Sequence, residues 1–172
     1  MGEPALKLVE TGAEGAVCTQ DFLRAMRGVA ASVAVVTTDG PMGRGGATVS
    51  SFTSVSADPP TVLACLSRKS RIAGTVRANG RFVINVLSHE MADLGRRFSD
   101  TDAAADRFVD VTWSERNGLP LIEGCTAFLC DLTELAAVAT HDVFFGRVAA
   151  VHHGGKEPLA YLDRTFARVV PL

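Results

Sequence analysis

The chain has 172 residues, 47% of them hydrophobic, with 17 Lys and Arg against 19 Asp and Glu for a net charge of -2. That length and apolar content suit one folded domain and exclude a disordered chain. With no basic run and no cluster of its aromatic residues (nine Phe, one Trp, one Tyr), a nucleic-acid surface is excluded as well.

The first residues, MGEPALKLVETGAEG, lack the basic start and apolar centre of a signal peptide. No apolar run reaches membrane-spanning length. Residues 1–17 read as a loose arm, and 18–172 as the domain. The four cysteines (Cys18, Cys65, Cys125, Cys130) form no C-x-x-C pair, so buried thiols in a reducing cytoplasm are expected, and no metal site.

Asp21 can open a short amphipathic helix, DFLRAMRGV. SVAVVTT (Ser32–Thr38) follows as a Val- and Thr-rich strand, closed by a turn at Asp39-Gly40-Pro41. Gly46 to Phe52 reads as a second strand and Thr61 to Leu66 as a third, entered through Pro59-Pro60. Ser70 is placed to cap a helix, RIAGTVRAN, that stops near Asn79-Gly80. RFVINVL is the next strand, His89 to Phe98 a helix, and Ser99 to Asp110 an acidic, Ala-rich surface segment. Leu121-Ile122, Cys125–Ala139 and Val143–His152 read as strands, with Gly124 as a bulge or turn, and Leu159–Leu162 and Phe166–Val170 close the chain. Strands separated by turns dominate, without β-helix-β alternation. That favours an antiparallel barrel with a few peripheral helices over a doubly wound parallel sheet.

Gly45–Ser70, GGATVSSFTSVSADPPTVLACLSRKS, stands out for chemistry. Gly43-Arg44-Gly45-Gly46 offers G-x-G but no third glycine, and a strand follows where a Rossmann site needs a helix. Ser67-Arg68-Lys69-Ser70 brings two hydroxyls, two cations and backbone N–H groups to a helix start, the right components for an anion. A solvated basic turn is the plainer alternative. Thr48 to Ser56 carries more hydroxyls than a strand needs. These residues can hydrogen-bond the polar rim of a ring system or simply form the outer face of an edge strand. His152-His153 point to opposite faces if extended, so they are poor metal ligands. His89 reads as structural. His141, with Asp142, opens the apolar strand VFFGRV.

The ordered pieces resemble the short-chain flavin reductases, the NAD(P)H:flavin oxidoreductase components of two-component monooxygenases. The pieces are FLRAMRGVAASVAVVTT, Gly45–Ser70, GRFVINVLS, Arg96–Phe98, Asp106-Arg107-Phe108 with Trp113, GLPLIEG, THDVFFGRV and PLAYLDRTF. The likeness is greatest to reductases serving 4-hydroxyphenylacetate and related hydroxylases, and to the flavin reductase of pyrimidine breakdown. It implies a mainly β, Greek-key split β-barrel that binds FMN or FAD, takes hydride from NADH or NADPH, forms a homodimer and supplies reduced flavin to a flavin-dependent monooxygenase. Carried over, Ala47, Thr48, Val49, Ser50 and Ser51 lie along the flavin ring and ribityl chain. Ser67, Arg68, Lys69 and Ser70 hold its phosphate, with Lys69 and Arg71 steering the anion. Asn85 and Phe98 are further flavin neighbours. His141 sits beside the nicotinamide, and Phe166 takes a ring position where many relatives have Tyr. A flavin store or electron carrier on the same barrel, or a reductase of another substrate such as a corrin, are the alternatives.

Overall fold

The structure, a computed structural model, describes residues 17–100, 107–154 and 157–172. The expected arm (residues 1–16 of it) and Asp106 lie outside the described residues, as does half of the acidic segment, residues 101–106.

Helix α1 (Thr19–Met26) starts where Cys18 Sγ accepts from Asp21 N at 3.5 Å. It therefore begins two residues before Asp21. After β1 (Ala31–Ser32) come β2 (Ala34–Thr38), β3 (Gly45–Val49), β4 (Phe52–Ala57) and β5 (Pro60–Ser67). The expected single strand over 46–52 is split at Ser50-Ser51, and the hydroxyl-rich stretch after it is a strand in its own right. Helix α2 (Arg71–Asn79) ends at Gly80, whose φ of +70 a glycine adopts without steric cost. Then follow β6 (Arg81–Val86), a 3-10 turn (His89–Met91), α3 (Ala92–Ser99), the hairpin β7 (Trp113–Arg116) and β8 (Leu119–Ile122), the long β9 (Thr126–Val138) and β10 (His141–His152), and β11 (Leu159–Leu162) with β12 (Thr165–Arg168). The pairing of Trp113–Arg116 was not legible, because a four-residue polar strand leaves no periodic apolar signal.

Seven strands form an antiparallel sheet in the order β3-β2-β6-β9-β10-β5-β4. Its two edge strands, β3 and β4, are consecutive in the chain and joined only by Ser50-Ser51. The sheet must therefore curl until its edges meet at this link, and Cys65 N donates to Ser51 O at 2.8 Å, extending the β4–β5 ladder into it. This is a split barrel. Its interior holds Val36, Val62, Phe82, Ile84 and Phe144, and α2 lays Ile72, Ala73 and Val76 onto that core. A second cluster packs α3, through Phe98, with Val33, Leu87, Ile122 and Leu159.

Cysteine burial follows the expectation only for Cys125 and Cys130. Cys65 is half-buried and Cys18 is exposed, because Cys18 serves as a helix cap.

Candidate functional site

A cleft of about 870 Å³ runs between β3 and the segment from β5 into α2, with Phe98 and Arg107 closing one side and His141 at one end. Its wall is β3. Being an edge strand, β3 bonds β2 with one side only. Arg107 Nη1 donates to Gly46 O at 2.6 Å, which places that carbonyl on the free side. By the two-residue alternation of antiparallel pairing, the Thr48 N–H and C=O face the same way. The wall is thin because the chain has glycine where packing is tightest: a Cβ on Gly46 would sit 2.6 Å from the Phe98 ring. Thr48 Oγ1 donates to Gly95 O at 2.7 Å, fixing β3 on α3.

Opposite lies the turn after β5. Ser70 N and Oγ both donate to Ser67 O, at 2.9 and 2.6 Å, and Lys69 N donates to Ser67 Oγ at 3.4 Å. The expected side-chain cap by Ser70 is therefore absent, since its hydroxyl closes the turn instead. The Lys69 ammonium and the Arg71 guanidinium line the cleft and have no carboxylate partner among the described residues. His141 pairs in register with Ser67, so the histidine and the turn share one end of the site. Its Nδ1 lies 2.9 Å from Thr140 Oγ1, leaving Nε2 for other contacts.

Ala47, Thr48, Val49, Ser50, Ser51, Ser67, Lys69, Ser70, Phe98 and His141 are thus gathered around one cleft. Arg68, Asn85 and Phe166 are not among its lining residues. Arg68 turns away: its N donates to Thr140 O at 3.0 Å, its Nη1 to Ala139 O at 3.3 Å, and its Nε lies 3.7 Å from the buried Asp142 carboxylate, which Arg77 also binds at 2.5 Å. Asn85 is fully buried. Its amide donates to Val35 O and Thr37 Oγ1 and accepts from Ile122 N, so it ties strands together and has nothing left for a ligand. Phe166 packs on Tyr161 at 5.8 Å and under Arg96 at 5.3 Å, beside the Gly95 face of α3.

Sequence reasoning left out Arg107 and Arg44 as site residues. Arg107 Nη2 also bonds Asp100 O, while its Nε is buried without a partner. Burial pushes the Arg107 guanidinium below its ordinary value, with Asp100 pulling it up and Arg71 adding to the fall. Arg44 stacks 4.0 Å over the Trp113 ring and pairs with Asp39 at 2.9 Å. The available signal is the Asp106-Arg107-Phe108 triplet, one of the pieces that carry the family resemblance.

Residues 26–169 match the family described as flavin reductase like domain. The chain belongs to that family. It is 37% identical over 153 residues to the FMN reductase (NADH) RutF of Stutzerimonas stutzeri, covering 87% of this chain and 88% of that protein. The corresponding protein of Bradyrhizobium diazoefficiens is 39% identical over 156 residues, covering 89% and 87%. Among solved structures, an NADH:FAD oxidoreductase of Streptomyces globisporus in complex with NAD and FAD fragments superposes with a TM-score of 0.82 at 29% identity, covering 91% of this chain and 97% of that one. The flavin reductase of styrene monooxygenase from Pseudomonas putida gives 0.79 at 29% identity, covering 88% and 99%. The chain is an oxidoreductase of flavin reductase type on a Greek-key split barrel. Among the described residues no helix is long and apolar enough to cross a membrane, and no group of side chains could hold a metal ion.

Proposed function

We propose that this chain uses NADH to reduce a flavin in the β3–α2 cleft and hands the reduced flavin to a partner monooxygenase. The observation that carries the reading is the convergence of three parts in one cleft. These are an edge strand with free backbone groups, a serine-rich turn whose Lys69 has no carboxylate partner among the described residues, and a histidine in register with that turn. The relatives that act with NADH, and the solved reductases of two-component oxygenases, support it.

A bound flavin supplies the acceptor for a hydride from the nicotinamide. The residues present fit such a molecule. Backbone N–H groups on the free side of β3, with those of Ser50 and Ser51 lining the same cleft, can donate to the ring edge where negative charge gathers on reduction. Ser67, Ser70 and Lys69 suit a phosphate, a task in which hydroxyl, backbone and cation share one anion. His141 orients the nicotinamide over the ring plane, and its role is alignment, since hydride transfer depends on near-attack geometry and needs no proton at this residue. Arg68, Asn85 and Phe166 take no part in this scheme within one chain.

The functional unit in this reading is a homodimer. Helix α1 buries none of its residues, and Phe22, Leu23, Met26 and Val29 remain about half exposed. Leu135, Val138 and Val55 add apolar surface on β9 and β4. A second copy is the occupant that would cover these. All four cysteines are free, which fits the reducing cytoplasm.

The test is NADH oxidation by the purified chain with FMN, FAD or riboflavin added. Turnover that requires free flavin supports a reductase. Tight flavin binding without NADH oxidation would instead make it a carrier.

A further inference from the structure

Arg68 touches no ligand in the scheme above, yet it stands between two of its parts. It belongs to the serine turn, between Ser67 and Lys69, and both its backbone and its side chain bond the β9–β10 hairpin. Its N donates to Thr140 O at 3.0 Å, its Nη1 donates to Ala139 O at 3.3 Å, and its Nε lies 3.7 Å from Asp142 Oδ1. These three partners bracket His141. The hairpin needs such a tie. Val138 pairs with His141, so Ala139 and Thr140 alone make the turn, and Ala139 sits at φ +48. A Cβ disfavours that left-handed conformation. It persists where the surroundings over-determine it, and here Arg68 takes the carbonyls of both turn residues.

The placement of the hairpin fixes the placement of the histidine ring. The Cα of His141 is paired with that of Ser67, so both side chains leave the same face of the sheet, into the cleft. Nδ1 of the ring meets Thr140 Oγ1 at 2.9 Å, within the turn that Arg68 holds. A shift of this turn therefore moves Nε2 with it.

We propose that Arg68 is a positioning residue for hydride transfer: it clamps the Ala139-Thr140 turn to the serine turn and so sets where the His141 ring meets the nicotinamide. The inference rests on the reading of His141 given above. It joins the phosphate side and the nicotinamide side of the cleft into one mechanical unit, with Arg68 facing away from the anion that Ser67, Lys69 and Ser70 serve.

The experiment measures kcat/KM for NADH with FMN as acceptor, and the FMN dissociation constant by flavin fluorescence. It compares wild type, Arg68→Ala, Arg68→Lys, His141→Ala and the double variant Arg68→Ala/His141→Ala, with a thermal melt of each to confirm folding. In Arg68→Ala, kcat/KM for NADH falls about tenfold, an order that misaligning a reactant readily costs. FMN affinity stays within about twofold, less than one hydrogen bond is worth. Arg68→Lys, which keeps a cation beside Asp142, recovers part of the loss. In the His141→Ala background the Arg68 change has no further effect, because its influence passes through the ring. An equal loss in both backgrounds would make Arg68 a residue of general stability and overturn the proposal, as would an unchanged kcat/KM. A fall in FMN affinity matching that of Lys69→Ala would make it a phosphate ligand and overturn it too. Failure of the underlying reading shows differently: His141→Ala by itself would then have normal NADH kinetics. The clamp is read separately by amide hydrogen exchange, which quickens over residues 138–142 in Arg68→Ala; unchanged exchange there means that no clamp exists.

Discussion

Asp142 is the point at which the two halves of the site are held together, and its removal has a calculable consequence. The carboxylate is 2% exposed, while the guanidinium groups of Arg68 and Arg77 that flank it are 55% and 53% exposed. One arginine belongs to the serine turn, the other to α2, and the aspartate follows His141 on β10. In Asp142→Asn both cations can turn to water, so the cost is one charge-assisted bond, partly kept by the amide, or about 1–2 kcal/mol. In a domain of this size that lowers Tm by about 2–8 °C. The double variant Arg68→Met/Arg77→Met leaves the carboxylate buried and alone, which is the harsher case at about 3–5 kcal/mol. Chemical denaturation of both variants ranks them, and flavin fluorescence shows whether FMN loses affinity relative to riboflavin as the turn loosens. If the double arginine variant is no less stable than Asp142→Asn, the buried carboxylate is not the element at risk and the reasoning fails.

Four further outcomes follow from the same geometry. Lys69→Ala weakens FMN by roughly tenfold and riboflavin hardly at all, because only FMN carries the phosphate; equal effects on both would remove Lys69 from the phosphate. His141→Ala raises KM for NADH and lowers turnover while flavin affinity stays within about twofold, less than one hydrogen bond is worth; normal NADH kinetics would refute the nicotinamide role. Gly46→Ala drives a methyl into the Phe98 ring and costs about 1–3 kcal/mol. Phe98→Leu should recover part of that loss, and additive effects in a double-mutant cycle would show that the two do not meet. Burial pushes the Cys125 and Cys130 thiols up to about 12 from an ordinary 9.0, with Asp131 adding to the shift at Cys130. The folded state therefore holds these protons more tightly than the unfolded one. Their stabilising contribution is complete below pH 9 and is lost as pH rises toward 12. Alkaline melts of Cys125→Ala and Cys130→Ala should be flatter over that window than wild type, and parallel curves would contradict the assignment.

Much of the fold was legible because its signals are local. RIAGTVRAN between Ser70 and Gly80 marks α2 residue for residue, since a glycine after Asn can take the left-handed conformation that closes a helix. Val- and Phe-rich runs marked β2, β6, β9 and β10 for the same reason, as side-chain patterning and strand pleat share one period. The order of the pieces was enough to name the family. The backbone of the site, 47–51 and 67–70 with His141, could be selected because it lies in that order.

Other features depended on contacts far apart in sequence, which no window of residues contains. The break at Ser50-Ser51 exists because β3 and β4 must close a seven-stranded barrel, and no local property of two serines demands it. Asn85 and Arg68 are polar residues in the right stretches, yet the fold uses them as ties: Asn85 to β2 and the end of β8, Arg68 to Asp142 and the turn before His141. Phe166 has the ring a stacking partner needs, but β12 sets it against Tyr161 and Gly95. Arg107 shows the converse. It is unremarkable in sequence and becomes part of the site only when Gly46, 61 residues earlier, offers it a carbonyl. Sequence alone determined which groups were available to a flavin and its phosphate. Which of those groups remain free for a ligand was decided by the tertiary structure, because a donor or carboxylate already satisfied by the fold has little left to give.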